Sequence, residues 1–568
     1  MNSFLRIERI LAIVIFFAIC FLAYQVPAFQ NKDGDGVFWF SILPPLLTVT
    51  ISLVTGRLIT SLLAGIFSGA FLAVLKENLA ADATWNLASV ITSGTSKTFH
   101  SFYDSLSDVF YIEVLAFILF FLTMIGVMIV SGGLKGVVDR VAQYANTRRR
   151  TKMITFILGL IIFIDDYANS MIIGGAMRPL SDRYRISREK LSFIVDATSA
   201  PVAGIAFIST WIGYEVGQFS DVAKTLSIDK TGYGIFLDAF QFRYYCFFMI
   251  VFVFLNCWTE KDFGPMKRAE RRAIQHGKVH GERAKPMTSG LLSDGEPDSS
   301  ARVDARTALV PLGALFTILL GGLWLDGGGG EFFAKSPFYL LNPGVWMDVI
   351  SKSENNVRIL AVAGFFGLVF ALAFGKFLAR VDTRVLWHTV LKGLRAAVLP
   401  TSILILAWAL KNVCGYVHTD QFLVSVLGDR IAPWIFPFFV FITASLTAFA
   451  TGTSWGTMAI LIPTVAPVAY VMDGSSYGLI TMITLGSILD GAILGDHCSP
   501  ISDTTVMSSI ATGCDHMDHV RTQIPYSAFV GGVALLCGYL PAALGLPTGW
   551  ALLLGCGVMT GFFTFLRK

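Results

Sequence analysis

Asp490, Asp496 and Asp503 lie in one stretch, ILDGAILGDHCSPISDTT (Ile488–Thr505), with His497, Ser499, Ser502 and Pro500 among them. A long apolar run leads into it. A second interruption, DATSAP (Asp196–Pro201), places Asp196 ahead of Thr198, Ser199 and Pro201. In both, a Ser follows the Asp by three residues and a Pro is close behind. Proline removes a backbone N–H and clashes with the preceding turn, so a helix breaks there. The freed carbonyls then need partners, most of all in a hydrocarbon setting. Carbonyls, hydroxyls and a carboxylate gathered at one point are the ligand set of a Na⁺ ion.

Two further polar spots sit inside apolar runs. FIDDYANS (163–170) carries Asp165, Asp166, Asn169 and Ser170, and FATGTSWG (449–456) carries Thr451, Thr453 and Ser454. Each spot is expected to face the break of its own half: the first at Asp196, Thr198 and Ser199, the second at Asp496, Ser499, Ser502 and Asp503. The sodium ligands expected from this pairing are Asp196, Ser199 and Asn169 in one half, and Asp496, Ser499 and Ser454 in the other. For the hydroxyls there is a plainer reading, since Ser and Thr in helices often bond a carbonyl one turn back. Aspartates are different, because each costs roughly 2.5–3.5 kcal/mol at the centre of a membrane helix. Asp165 and Asp166 are neighbours, so on a helix they point about 100° apart. One can face the site while the other caps the helix or pairs with Arg. Asp490 is a candidate proton carrier, with a salt bridge or a solvated vestibule as its alternatives. A histidine side chain titrates near neutral pH in water; His497, beside a helix break, is expected to be an orienting hydrogen-bond donor. His516 and His519, with Asp515 and Asp518, are expected in a solvated cytoplasmic turn rather than a metal site.

The elements that position these groups follow from composition. Of 568 residues, 54% are hydrophobic and 14% charged, against about 25% charged in soluble domains. The mean hydropathy is +0.65. These values exclude a soluble protein and imply a polytopic membrane protein. The eight cysteines form no CxxC pair and read as packing residues, not disulfides or metal ligands. The basic excess is local and orients the chain; it does not point to nucleic acid. Twelve apolar stretches are long enough to cross a bilayer: near 10–28, 38–55, 58–75, 110–132, 192–214 and 240–258, then 307–325, 357–377, 396–414, 477–497, 525–543 and 548–566. The first follows Arg6 and Arg9 like a signal peptide, but no A-x-A cleavage site follows, so it is expected to be retained.

Two longer runs do not fit a single crossing. Arg148, Arg149, Arg150 and Lys152 precede the run at 153–180, and Arg178, Arg183, Arg185, Arg188 and Lys190 flank its end. Positive charge marks cytoplasmic loops, so this run enters and returns, as a hairpin with FIDDYANS at its tip. By the same counting, 431–472 is a hairpin entering from outside. The expected fold is all-α: about 12 transmembrane helices, two re-entrant hairpins and two broken helices in two inverted repeats. An extra helix spans 1–30. The first repeat is 31–258, with hairpin 153–180 and broken helix 191–214. A basic cytoplasmic linker follows at 259–305. The second repeat is 306–545, with hairpin 431–472 and broken helix 477–512, and a last helix spans 546–568. Both termini are expected in the cytoplasm, from Arg6 and Arg9 at one end and Arg567 and Lys568 at the other.

FIDDYANSMIIGGAMRPLSDRYRISREKLSFIVDATSAPVAGIAFISTWIGYE (163–215), GTSWGTMAILIP (452–463) and GDHCSPISDTT (495–505) resemble the NhaC family of sodium/proton antiporters. The likeness runs from about Leu43 to Tyr526. It implies paired hairpins, inverted repeats and alternating access, with Na⁺ and H⁺ as partners and no cofactor beyond the transported Na⁺. Relatives in this family also exchange malate for lactate or are proposed to carry amino acids, so a sodium-coupled transporter of an amino acid or small carboxylate is the second expectation. One departure is Asp490, where the family commonly has a small residue; an added carboxylate there could exchange a proton or hold an amine. The resemblance further implies a bacterial inner membrane and, by analogy, a homodimer. An intramembrane protease fits poorly, since no HExxH is present. A channel would not explain two aspartates at helix breaks.

Overall fold

In hydrocarbon every backbone N–H and C=O must find a partner within its own segment, which leaves helices for a chain this apolar. A computed structural model of the chain describes residues 2–30, 36–55, 57–80, 87–207, 209–282, 284, 297–342, 345–346, 349–350, 353, 355–427, 431–500 and 502–566. Arg567, Lys568 and the side chains of Arg6, Arg9 and Asp503 lie outside the described residues.

The first half holds α1 (Asn2–Tyr24), α2 (Leu43–Thr55), α3 (Leu58–Ala80), α4 (Leu87–Ser107), α5 (Val109–Val130) and α6 (Gly133–Ala142). Then come α7 (Arg148–Ile161), α8 (Asp166–Arg183), α9 (Arg188–Ala197), α10 (Ala200–Ala203), α11 (Thr210–Leu226), α12 (Gly232–Phe240), α13 (Tyr244–Thr259) and α14 (Gly264–His276). The second half holds α15 (Arg306–Asp326), α16 (Gly329–Lys335), α17 (Asn356–Phe377), α18 (Thr383–Tyr416) and α19 (Thr419–Leu427). It continues with α20 (Phe436–Thr451), α21 (Ser454–Met472), α22 (Leu479–Cys498), α23 (Asp503–Thr512), α24 (His516–Val533), α25 (Leu540–Ala543) and α26 (Thr548–Phe565). A π-helical turn, Ala534–Tyr539, joins α24 to α25, and a short antiparallel ladder pairs Phe29–Gln30 with Gly36–Val37.

Among the described residues, nine helices are long and apolar enough to cross a membrane, or ten with the bent pair α12–α13. The helix interruptions fall at the Asp/Pro signals. The first apolar pair, α7 and α8, is divided at 162–165, and the second, α20 and α21, at Gly452 and Thr453. The stretch 192–214 is not one span: α9 stops at Ala197 and the next long helix starts at Thr210. Likewise α22 stops at Cys498 and α23 starts at Asp503. Each half therefore runs through a divided pair and then a broken helix.

Three features differ from the sequence reading. The segment at 396–414 is part of one 34-residue helix, α18. The polar stretch at 87–107 is also a helix, α4, which packs on α3 and α18. The stretch expected as a linker contains α14, and its acids hold the basic flank: Glu270 pairs with Arg148, Glu260 with Lys152 at 2.9 Å, and Asp262 with the fully buried Lys190. Lys152 and Lys190 are enclosed by protein, and Arg148 is half-buried.

The densest helix contact joins α20 and α22. Here Gly495 lets the helices close up, because a Cβ on it would stand 2.1 Å from the Ser445 carbonyl oxygen. Small residues allow this approach where apolar burial gives no drive between helices. It locks the helix that carries Asp490, Asp496 and His497 against the second hairpin.

Candidate functional site

The breaks leave carbonyls and helix N-termini inside the protein. The N-termini are capped first. Asp165 accepts from Ala168 N at 2.9 Å, Thr453 from Gly456 N at 3.4 Å, and Ser502 from Thr505 N at 3.3 Å. Each starts the helix after a break, and each uses its side chain as an N-cap. Asp165 also accepts from Thr210 Oγ1 at 3.1 Å, which ties the first tip to α11. Asp166 Oδ1 accepts from Tyr167 N at 3.1 Å.

The broken carbonyls are met next. Asn169 Nδ2 reaches the carbonyls of Gly159, Ile162 and Thr198 at 2.8–3.1 Å. That fixes the amide's orientation and turns Asn169 Oδ1, which is buried and has no hydrogen-bond partner among the described residues, away from those carbonyls. The Asp196 carbonyl accepts from Ser199 Oγ at 2.7 Å and from His497 Nε2 at 3.0 Å. A donor at Nε2 makes Nδ1 the acceptor in a neutral ring, and Tyr245 OH lies 3.0 Å from it. Thr198 Oγ1 bonds back to Ile194 O at 2.7 Å, the plainer reading of that hydroxyl.

The Asp196 carboxylate is fully buried, and its donors come from the second half. Thr505 Oγ1 donates to Oδ2 at 3.1 Å, and Ser508 Oγ lies 3.2 Å from Oδ1. Gln523 Nε2 donates both to Oδ2, at 2.6 Å, and to the His497 carbonyl, at 2.7 Å. Its Oε1 is left for His519 Nε2 at 2.8 Å. Ser170, on the first hairpin, meets Ser508 at 3.2 Å. Thus the first tip and first break close on α23 and α24 of the other half. In the second half, Ser454 Oγ donates to Asp496 Oδ2 at 3.0 Å, the pairing expected within one half. Thr451 stays within its own turn, 3.4 Å from Thr453 O, and Ser499 N donates to Asp496 O at 3.0 Å.

Asp490 lies apart from this cluster. It is bonded to Arg243, and the salt-bridge alternative is the one the structure holds.

A family model described as the Na+/H+ antiporter family matches residues 202–540, more than half of the chain. The chain belongs to that family. This antiporter-family protein is 27% identical over 527 residues to an uncharacterized protein of Haemophilus influenzae, covering 91% of this chain and 93% of the relative. It is 30% identical over 194 residues to the arginine/ornithine antiporter ArcD of Halobacterium salinarum, covering 34% of this chain and 38% of the relative. It is 30% identical over 188 residues to the Na(+)/H(+) antiporter NhaC of Alkalihalophilus pseudofirmus, covering 32% and 39%. The crystal structure of the Alcanivorax borkumensis YdaH transporter shares the fold, with a TM-score of 0.50 at 14% identity over 98% of this chain and 100% of that one. The protein is an integral membrane secondary transporter.

The candidate site includes residues that the sequence reading missed. Thr505, Ser508 and Gln523 gave no signal, since nothing in the spacing says which helix faces Asp196. His519, expected in a solvated turn, is fully buried in α24, with Nε2 3.8 Å from Asp196 Oδ2. His516 is also tied inward, to Pro500 O at 2.7 Å. Among the described residues no group of His, Cys, Asp or Glu has the geometry of a metal site.

Proposed function

We propose that the protein exchanges Na⁺ for H⁺, with the cation bound at the two helix breaks. One observation carries this reading. Asp196 is fully buried, and among the described residues no Lys or Arg pairs with it. Its donors are neutral hydroxyls and an amide. A buried carboxylate that lacks a fixed counter-ion must take a mobile one or a proton. The two compete for one carboxylate, which is what exchange requires. Asn169 Oδ1 adds a bare buried acceptor beside the same break. Asp196, Ser199 and Asn169 supply the first ligand set, and Asp496, Ser499 and Ser454 the second. Alternating access exposes them to each side in turn. We place the protein in a bacterial inner membrane as a homodimer, with both termini cytoplasmic, following the positive flanks of α7 and α9.

A second reading, sodium-coupled transport of an amino acid, is favoured by the likeness to an arginine/ornithine antiporter. One experiment separates them. Purified protein in liposomes with a trapped pH dye is given a Na⁺ gradient. The exchanger moves protons with Na⁺ alone, and Asp196→Asn or Asp496→Asn reduces that flux to the level of empty liposomes. Silence until amino acids or dicarboxylates are added would replace exchange with solute coupling. Undiminished flux in Asp196→Asn would remove the cation from this site.

A further inference from the structure

A buried ionic group lies apart from the Asp196 cluster and has no part in the scheme above. It contains one cation and two acids, Arg243, Glu215 and Asp490, all fully buried. Arg243 sits where the chain bends by 48° between α12 and α13. Its Nε donates to Asp490 Oδ1 at 2.8 Å, and its Nη1 lies 3.2 Å from both oxygens of Glu215. The guanidinium is walled in, since a Cβ on Gly204 would stand 2.7 Å from Nη2.

The two acids are not equivalent. Asp490 also accepts from Tyr245 N at 2.6 Å, Tyr539 OH at 2.7 Å and Cys246 Sγ at 3.1 Å. Its ionised form is therefore well satisfied. Glu215, among the described residues, accepts from Arg243 Nη1 alone. The titratable groups around Glu215 are Arg243, Asp490, Cys246, Tyr245 and Tyr539, with Tyr214 its neighbour on α11. Of the helices packed on α11, α21 has no charged residue, α12 engages Asp238 with Lys230, and α5 engages Glu113 with Arg358 of α17. With all three members ionised, the group carries a net charge of −1 in the protein interior. A charge buried in this way is relieved by taking up a proton.

We propose that Glu215, Arg243 and Asp490 form a proton-binding site distinct from the cation site, with Glu215 carrying the proton. Tyr245 connects the two. Its N–H bonds Asp490, while its hydroxyl bonds His497, which donates to the Asp196 carbonyl. Asp490 and His497 are seven residues apart on α22, about two turns, and so share a face. The use of this proton in exchange rests on the antiport reading, but the existence of the site does not.

The test is therefore spectroscopic and needs no transport. Infrared difference spectra of the purified full-length protein, with pH stepped upward, report a protonated carboxyl group directly. The expected result is a protonated-carboxyl band that bleaches as pH rises. It shifts when glutamate is carboxyl-labelled with carbon-13 and stays in place when aspartate is labelled. It persists in Asp196→Asn and is lost completely in Glu215→Gln. Absence of the band, its survival in Glu215→Gln, or a shift with labelled aspartate alone would overturn the assignment. If Glu215→Gln does not fold, labelling of the unmutated protein decides alone. A wild type that shows the band yet moves no protons with Na⁺ in liposomes would refute the exchange reading and leave the site standing.

Discussion

At the residue scale, the decisive side chain besides Asp196 is Gln523. Its two N–H groups are divided between the Asp196 carboxylate and the His497 carbonyl, and its oxygen takes His519. Leucine has similar bulk and none of these functions. Gln523→Leu thus leaves a carboxylate lone pair and a broken-helix carbonyl bare. A hydrogen bond to a charged group contributes about 1.5–3 kcal/mol. The half-saturating Na⁺ concentration for proton release is expected to rise roughly ten- to a hundredfold on that basis. Thr505→Val removes one neutral donor and is expected to shift it less. An unchanged half-saturation in Gln523→Leu, read as Na⁺-driven flux in liposomes, would mean that Asp196 does not bind the cation. The aspartates themselves were legible in the sequence because a carboxylate in an apolar run is costly enough to need a reason. Their partners were not. Thr505, Ser508 and Gln523 are ordinary residues until α23 and α24 are laid across α9. The same holds for Asp490, whose partner Arg243 lies 247 positions away.

At the element scale, the breaks and hairpins were legible because proline and clustered polar residues interrupt apolar runs. Helix α4 was not, because its Ser and Thr content keeps it out of the apolar runs that mark spans. Its hydroxyls are absorbed by the helix itself: Thr98 bonds Gly94 O at 2.9 Å, Ser101 bonds Thr98 O at 2.7 Å and Ser105 bonds Ser101 O at 2.9 Å. Asn412 of α18 then donates to Ser101 O, also at 2.9 Å. The caps made by Asp165, Thr453 and Ser502 are hard to tell from ligands in a sequence, since a cap and a cation ligand use the same oxygen types. How closely elements approach is also hidden in a sequence. Gly159 shows this: a Cβ there would stand 2.1 Å from Thr198 Oγ1, so α7 can touch the first break only as glycine allows. Gly159→Val forces the hairpin away from the break, and overpacking of this kind costs about 1–3 kcal/mol. A lower thermal unfolding temperature in detergent is expected. Gly557→Ala is the control, since a Cβ there meets nothing within 4 Å. Equal unfolding temperatures for Gly159→Val and the wild type would show that the close approach is not needed.

At the scale of the whole molecule, the two halves look like separate repeats in sequence, yet the bonds that complete the site run between them. Asp196 of the first half takes its donors from Thr505, Ser508 and Gln523 of the second. Asp490 of the second takes Arg243 from the first, and Asp262 of the first takes the Tyr526 hydroxyl at 2.6 Å. Tyr214 donates to Trp455 O at 2.5 Å, and Asp221 pairs with Lys411 at 2.6 Å. Removing one partner of a buried charge pair is far more damaging than never having built the pair. Each half alone would therefore carry a bare buried charge, Asp490 without its arginine or Asp196 without its donors. Joined in one membrane, both are satisfied. The chain expressed as two pieces, 1–290 and 291–568, is expected to assemble: a tag on the first piece should retain the second at equal amounts and recover Na⁺-driven proton flux. Expressed alone, 291–568 should aggregate, and Asp490→Asn in it should improve its yield by removing the unpaired charge. A monodisperse 291–568 that gains nothing from Asp490→Asn would show that the charges bridging the halves are not what holds them together.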